Sequence, residues 1–285
     1  MNKVEDNPNV TNAQVEENYQ ASGITESITK ALGTLGKDPS DLTATDLAPV
    51  DQFHIRGLAA TKELADLGGL SKGMRVLDVG CGLGGPARYL ATKHGCRVTG
   101  LDITRDYVMA AGMLTKLVRL DHQVGFIHGS ALEIPAEDGR FDVVWTEHAQ
   151  MNIFAKEGFY REIARVLKPG GRLVFHDVFR GAGPQPRYPV PWATESAISY
   201  LRQAEVIRKI IESAGFQIDS WEDTTAKSLA WFQAVSRKRK SPGRSSLGLH
   251  LLLGETAPIR VANLIKNLQD QRIRVVQAVA RKQSA

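Results

Sequence analysis

Along this chain the apolar positions recur first at helical spacing and then in short β-branched runs. Ile24, Ile28, Leu32 and Leu35 fall on one helical face, so residues 1–55 are expected to form an amphipathic helical arm, or lid, and not a tail. A second helical pattern over 57–70 ends at the turn residues Ser71, Lys72 and Gly73. Strands and helices then alternate, with strands expected at 74–79, 97–101, 124–128, 141–146 and 172–178. Helices are expected between them at 85–94, 106–120 and 156–167. This order predicts an α/β fold with a mostly parallel sheet and helices on both faces.

Two stretches break the rhythm. Residues 180–200 open with Gly181, Gly183, Pro184, Pro186, Pro189 and Pro191, a density that precludes regular structure and predicts a loop laid over something. A helix at 205–214 and a strand at 216–221 follow, and a second insertion at 225–270 delays the last strand, 273–280. The expected organisation is therefore an arm, 1–55, and one elaborated domain, 56–285, carrying two insertions. A length of 285 residues, 42% of them hydrophobic, suits one such domain better than two.

Charge and cysteine content narrow the setting. The net charge of +5 comes largely from the C-terminal part, notably Arg237, Lys238, Arg239 and Lys240. Such a run reads as a solvated face, with an anionic partner as the other reading. Cys81 and Cys96 make no disulfide framework and start no metal-spaced cluster, so no metal is expected and a reducing, cytoplasmic setting is the default. No apolar run is long enough to cross a bilayer, and the first twenty residues lack the apolar segment of a secretory signal.

The most informative stretch is Val76-Leu-Asp78-Val-Gly80-Cys-Gly82-Leu-Gly-Gly85, a strand running into a glycine turn. Glycines let backbone approach a ligand closely, although such turns also serve plain strand-to-helix packing. Asp102, at the end of the second strand, stands where a ribose-binding acid would. Asp78 discriminates further, because a carboxylate beside the turn suits an ammonium group and repels a pyrophosphate.

With these residues the chain resembles the class I S-adenosylmethionine (SAM)-dependent methyltransferases over nearly all of residues 55–281. The resemblance implies a Rossmann-like sheet of seven strands, the last antiparallel, and SAM as cofactor. It implies cofactor contacts from Asp78, Gly80, Gly82, Asp102, Ile103, Ser130, Ala131, Leu132 and Glu147. The adenine segment Gly129-Ser-Ala-Leu132 departs from many relatives, which carry Asp where Ser130 stands. The segment 162–171, Glu-Ile-Ala-Arg-Val-Leu-Lys-Pro-Gly-Gly, is similar to the family's turn into strand five.

Methyl transfer from a sulfonium is an in-line displacement with an excellent leaving group. The protein's task is alignment and exclusion of water, with a base needed only where the acceptor must lose a proton. His148 is the first candidate for that base or for an acceptor orienter, since imidazole titrates near neutrality; a histidine that only bonds backbone is the alternative. Glu147, Tyr19 and His176 join it as catalytic candidates, with capping, helix packing and core burial as their respective alternatives. Acceptor contacts are expected from Met151, Asn152, Phe179 and Trp192, the last held by Tyr188-Pro-Val-Pro-Trp192.

Glu-His-Ala-Gln-Met follows strand four, where nucleic-acid methyltransferases of this class place Asn/Asp-Pro-Pro-aromatic, so no nucleic-acid partner is expected. A small-molecule acceptor remains, in a group resembling sarcosine/dimethylglycine N-methyltransferases, tocopherol methyltransferases and bacterial natural-product C- and O-methyltransferases. A prenyl-diphosphate acceptor would require cations at the rim, for which Arg180, Arg187, Lys209 and 237–240 are candidates. A SAM-binding protein without methyl transfer, such as a cyclase, and a nicotinamide oxidoreductase are the competing classes. Homo-oligomerisation stays open.

Overall fold

Short β-branched runs bounded by glycine form the strands, and the amphipathic segments between them cover both faces of the sheet. The computed structural model describes residues 8–19, 23–34, 36–238 and 247–284. Leu35 of the arm pattern, and Arg239 and Lys240 of the basic run, lie outside the described residues. Helices α1 (Pro8–Tyr19), α2 (Ile24–Gly33), α3 (Ala44–Asp51) and α4 (Leu58–Gly68) come first. The alternating part then runs β1 (Arg75–Val79), α5 (Gly85–His94), β2 (Arg97–Asp102), α6 (Arg105–Leu117), β3 (Val124–His128), β4 (Phe141–Glu147), α7 (Lys156–Val166) and β5 (Leu167–Arg180). It closes with α8 (Ala204–Ser213), β6 (Phe216–Asp223), α9 (Thr225–Lys238), α10 (His250–Leu253), α11 (Ala257–Gln269) and β7 (Ile273–Lys282).

The seven strands lie in the order β3-β2-β1-β4-β5-β7-β6, parallel except for β7, which is antiparallel to both neighbours. Side chains alternate across the sheet as strand geometry requires. On β4, Val144 joins Phe159, Tyr160 and Ile163 of α7, whereas Val143 and Trp145 join Leu64 of α4 and Leu90 of α5 on the other face. The chain's winding reverses between β1 and β4, which opens a crevice at the carboxyl ends of those two strands.

Three features differ from the sequence expectation. Strand β5 starts at Leu167 and not at 172, because Leu167 pairs with Phe141 before the Lys-Pro-Gly-Gly segment bulges and Arg172 resumes opposite Val143. Helix α3 went unread, because Pro49 and only eight residues give it a weak pattern. It is capped by Thr43, whose backbone N–H donates to Asp46 Oδ2 at 3.0 Å. Third, the insertion at 225–270 is mostly helical and holds the proline-rich loop: Asn263 Nδ2 donates to the Pro189 carbonyl at 3.0 Å and Asn267 Nδ2 to that of Arg187 at 2.9 Å.

The arm packs firmly on the sheet domain. Ile24, Ile28, Leu32, Leu47 and Val50 share one apolar cluster with Tyr107, Ala110 and Leu114 of α6. Below it, Asp51 at the end of α3 meets Arg88 of α5 at 2.7 Å, both fully buried. Arg88 also donates to Thr115 Oγ1 at 2.8 Å and to the carbonyls of Leu83 and Ala111. Removing one partner of such a pair leaves a buried charge uncompensated. Arg88→Met is therefore expected to lower folding stability by about 3–5 kcal/mol, read from the urea midpoint; a loss below about 1 kcal/mol would show that the pair does not anchor the arm.

Candidate active site

Strands β1, β2 and β4 carry an acidic residue at or next to their carboxyl ends, and the crevice above them is a cavity of about 1160 Å³ including its open mouth. Its lining includes Asp78, Gly80, Gly82, Asp102, Ile103, Ser130, Ala131, Leu132, Glu147, His148, Met151, Asn152, Tyr19 and Trp192, so most of the residues singled out in the sequence meet there. Two do not line it. Phe179 is wholly buried against Phe175 and Trp221, because the strand alternation of β5 turns it into the α7–α8 core. His176 is also wholly buried, one layer behind the cavity wall.

The turn after β1 fits a nucleoside ligand in two places. Gly80 sits at φ +74°, and a Cβ there would lie 2.6 Å from Ala149 Cβ, so only glycine lets this turn approach the end of β4. Gly82, at φ +52°, has nothing within 4 Å of its notional Cβ, so its bare backbone faces open space. Asp102 closes the turn by accepting from Gly82 N and Thr104 N, each at 2.8 Å. These bonds fix its carboxylate at the cavity edge.

Electrostatically the cavity is one-sided. Among the described residues its lining contains no Lys or Arg, while Asp78, Asp102 and Glu147 all face it without a Lys or Arg in ion-pair range. Burial pushes the Asp78 carboxyl well above its usual range, and Glu147 and Asp102 push it further. Burial likewise raises Asp102 and Glu147. Asp78 Oδ2 is buried without a hydrogen-bond partner. A cationic ligand would relieve all three.

The opposite wall is aromatic and hydrogen-bonded. Tyr19 of α1 donates its hydroxyl to Asn152 Oδ1 at 2.9 Å, and Asn152 Nδ2 donates to the carbonyls of Trp192 and Ile198, both at 2.9 Å. The Asn152 amide thus ties the arm, the segment after β4 and the proline-rich loop together. Trp192 is pinned by its own Nε1–H to Ser199 Oγ at 2.9 Å. Burial holds the Tyr19 phenol well above its ordinary value, so it stays a neutral hydrogen-bonding wall and not a base.

His148 sits at φ +54°, the left-handed region, directly after β4, and its N–H donates to the His176 carbonyl at 2.9 Å. That conformation turns the ring into the cavity, with Nε2 buried and unpartnered. Burial and the neighbouring rings of His176 and His54 hold it well below the usual imidazole range. It is therefore neutral near pH 7, and the near-neutral titration expected from sequence is displaced by its surroundings. His176 is lowered to about 3 by burial and by Arg56, which makes it a neutral support for His148 at a ring separation of 5.0 Å.

Sequence reading missed His54. It lies in the irregular 52–57 segment between α3 and α4, where no periodicity marks it, yet it lines the cavity. Its Nε2 is 3.1 Å from Glu147 Oε1 and 3.0 Å from the Gly57 carbonyl. Glu147 Oε2 accepts from Thr61 Oγ1 at 3.0 Å and from Trp145 Nε1 at 3.1 Å. Glu147 is thus anchored through Oε2 by two hydrogen bonds, while Oε1 is buried near His54 without one.

Three of the cation candidates for a diphosphate rim are engaged or elsewhere. Arg180 donates to the carbonyls of Gly181, Gly183 and Arg272, Arg187 pairs with Asp270, and Lys209 is exposed on α8; none lines the cavity. Among the described residues no group of His, Cys, Asp and Glu is arranged to hold a metal, and no helix is long and apolar enough to cross a membrane.

Residues 77–175 match the family described as "Methyltransferase domain". The sterol 24-C-methyltransferase of Yarrowia lipolytica is 33% identical over 182 residues, 60% of this chain and 47% of its own length. The chain spans about half the length of the curated relatives it matches, or less. Among solved structures, the cyclase SpnF superposes with a TM-score of 0.63 at 25% identity, over 80% of this chain and 82% of its own. Geranyl diphosphate C-methyltransferase from Streptomyces coelicolor, solved with S-adenosyl-L-homocysteine, shares the fold with a TM-score of 0.62 at 19% identity, over 79% of this chain and 78% of its own. The stretch similar to a methyltransferase domain, residues 77–175, thus lies within a seven-stranded fold that continues to residue 282.

Proposed function

We propose that this protein transfers the methyl group of SAM to a small, uncharged or cationic acceptor. The observation that carries this reading is the set of three carboxylates, Asp78, Asp102 and Glu147, around a cavity whose described lining lacks any Lys or Arg. SAM brings a sulfonium, an ammonium group and ribose hydroxyls, and it supplies an already activated methyl group. Asp102 would accept from the ribose hydroxyls and Asp78 would face the ammonium. Ile103, Ser130, Ala131 and Leu132 would flank the adenine. On the other wall, Tyr19, Met151, Asn152 and Trp192 would shape the acceptor space and exclude water, while neutral His148 orients the acceptor by a hydrogen bond to Nε2.

Direct ion pairing to a diphosphate acceptor is not supported, because Arg180 and Arg187 have other partners. The likeness to SpnF, named a cyclase, favours one second reading: a cyclisation in which SAM is bound but not consumed. Incubating a metabolite library with isotopically labelled SAM separates the two. Methyl transfer predicts a labelled product, and cyclisation predicts a rearranged product of unchanged mass with SAM intact.

Asp102→Ala is expected to weaken SAM binding at least about 100-fold by calorimetry, since two hydrogen bonds to a charged group are lost. Undiminished affinity would remove Asp102 from the site. His148→Ala should lower turnover much more than SAM affinity; equal losses would place it on the cofactor side.

The raised acids also set a pH dependence. SAM needs Asp78 ionised, so its affinity should weaken on acidification at a pH above the ordinary carboxylate value of 3.8. In the ligand-free protein the sign is opposite. A raised folded-state pKa contributes stability that is present below the unfolded value and lost as pH rises through the folded one. The thermal shift produced by saturating SAM should therefore grow with pH above 3.8, and a shift that is flat with pH would contradict the assigned role of Asp78.

A further inference from the structure

We propose that His54, held by Glu147, is the base that takes the proton released by the methyl acceptor, and that Glu147 is its positioning residue. The inference rests on the methyl-transfer reading and assigns a role within the same cavity. His54 and His148 both line that cavity with ring centroids 6.1 Å apart, but their surroundings differ. Beside His148 lie two other imidazoles, His176 and His54, so a proton there would meet only neutral rings or a like charge.

His54 is the ring nearest a carboxylate: Glu147 Oε1 is 3.1 Å from its Nε2 and 3.7 Å from His176 Nδ1. The His54 Nε2 also lies 3.1 Å from Thr61 Oγ1 and 3.0 Å from the Gly57 carbonyl oxygen. A carbonyl cannot donate, so Nε2 carries the hydrogen and Nδ1 holds the lone pair. Nδ1 takes no hydrogen bond among the described residues. The Gly57 carbonyl thus fixes the tautomer, and the Glu147 carboxylate, close to Nε2 but not hydrogen-bonded to it, stabilises by its charge the imidazolium that forms. Glu147 is itself immobilised by Thr61 and the Trp145 indole, so its free oxygen stays on His54.

The other charged groups around His54 are few. His176 of β5 and Arg56 of its own segment lower it and Glu147 of β4 raises it, while burial lowers it most. Glu147, closer to His54 than to His176, therefore favours a proton on His54 against the effect of burial. In the step, the acceptor's lone pair forms the bond to the methyl carbon as the carbon–sulfur pair leaves on sulfur. The acceptor's hydrogen passes to His54 Nδ1, giving an imidazolium paired with the Glu147 carboxylate. Release of that proton to solvent after product departure restores the site.

The test needs no acceptor in its first arm. In ¹⁵N-histidine spectra of the full chain saturated with S-adenosylhomocysteine, His54 should show the Nε2–H tautomer and the highest titration midpoint of the three buried rings. Glu147→Gln should lower that midpoint while His148 and His176 remain neutral. A Nδ1–H tautomer at His54, first protonation at His148, or an unchanged midpoint in Glu147→Gln would each overturn the assignment.

In the second arm, with the acceptor found by labelled-methyl screening, His54→Gln should lower kcat at least about 100-fold with SAM affinity retained and remove the acidic limb of the kcat profile. A retained limb would overturn the assignment. If S-adenosylhomocysteine fails to bind in calorimetry, the methyl-transfer reading fails, and the spectra of the free chain still decide whether His54 or His148 is the basic ring.

Discussion

Asp78, Asp102 and Glu147 close three neighbouring strands of one parallel sheet, and their negative charges converge where the chain's winding reverses. Burial without cations is costly for carboxylates, which is why all three are pushed toward protonation in the free protein. The remaining structure can be understood from that constraint. Glycines at 80 and 82 let a ligand approach the acids, and backbone amides of Gly82 and Thr104 hold Asp102 in place. The buried Arg88, at the start of α5, is kept for Asp51. The site therefore retains an unbalanced charge that a cationic nucleoside would neutralise.

The second wall of the cavity is built from distant pieces of chain and is organised around neutral hydrogen bonds. Asn152 connects Tyr19 of the arm to the loop carrying Trp192, and Asn263 and Asn267 of α11 fix the same loop from outside. One wall is charged and the other is aromatic with amide links. This division matches the two tasks of methyl transfer, holding a cationic donor and aligning an acceptor out of water. Between the walls stand His54 and His148, with His176 behind them, all lowered by burial, and Glu147 lies nearest His54.

The sequence by itself determined the sheet. Strands β1 to β4 and helices α5 and α7 stand within one or two residues of their expected positions, because β-branched runs and 3.6-residue spacing are local signals. It also brought together the acids and turn of the proposed donor site, since Asp78, the glycine turn and Asp102 occupy adjoining strand ends whose separation is set by a single crossover. Tertiary structure alone decided the lining of the proposed acceptor side. Phe179 pointed to the core because its strand register, and not its place near the rim, sets its face. His54 entered the cavity from an irregular segment that no period marks. The displaced titration of His148 likewise arises from burial and from rings distant in sequence, and solvation by the rest of the fold has no local signature in the chain.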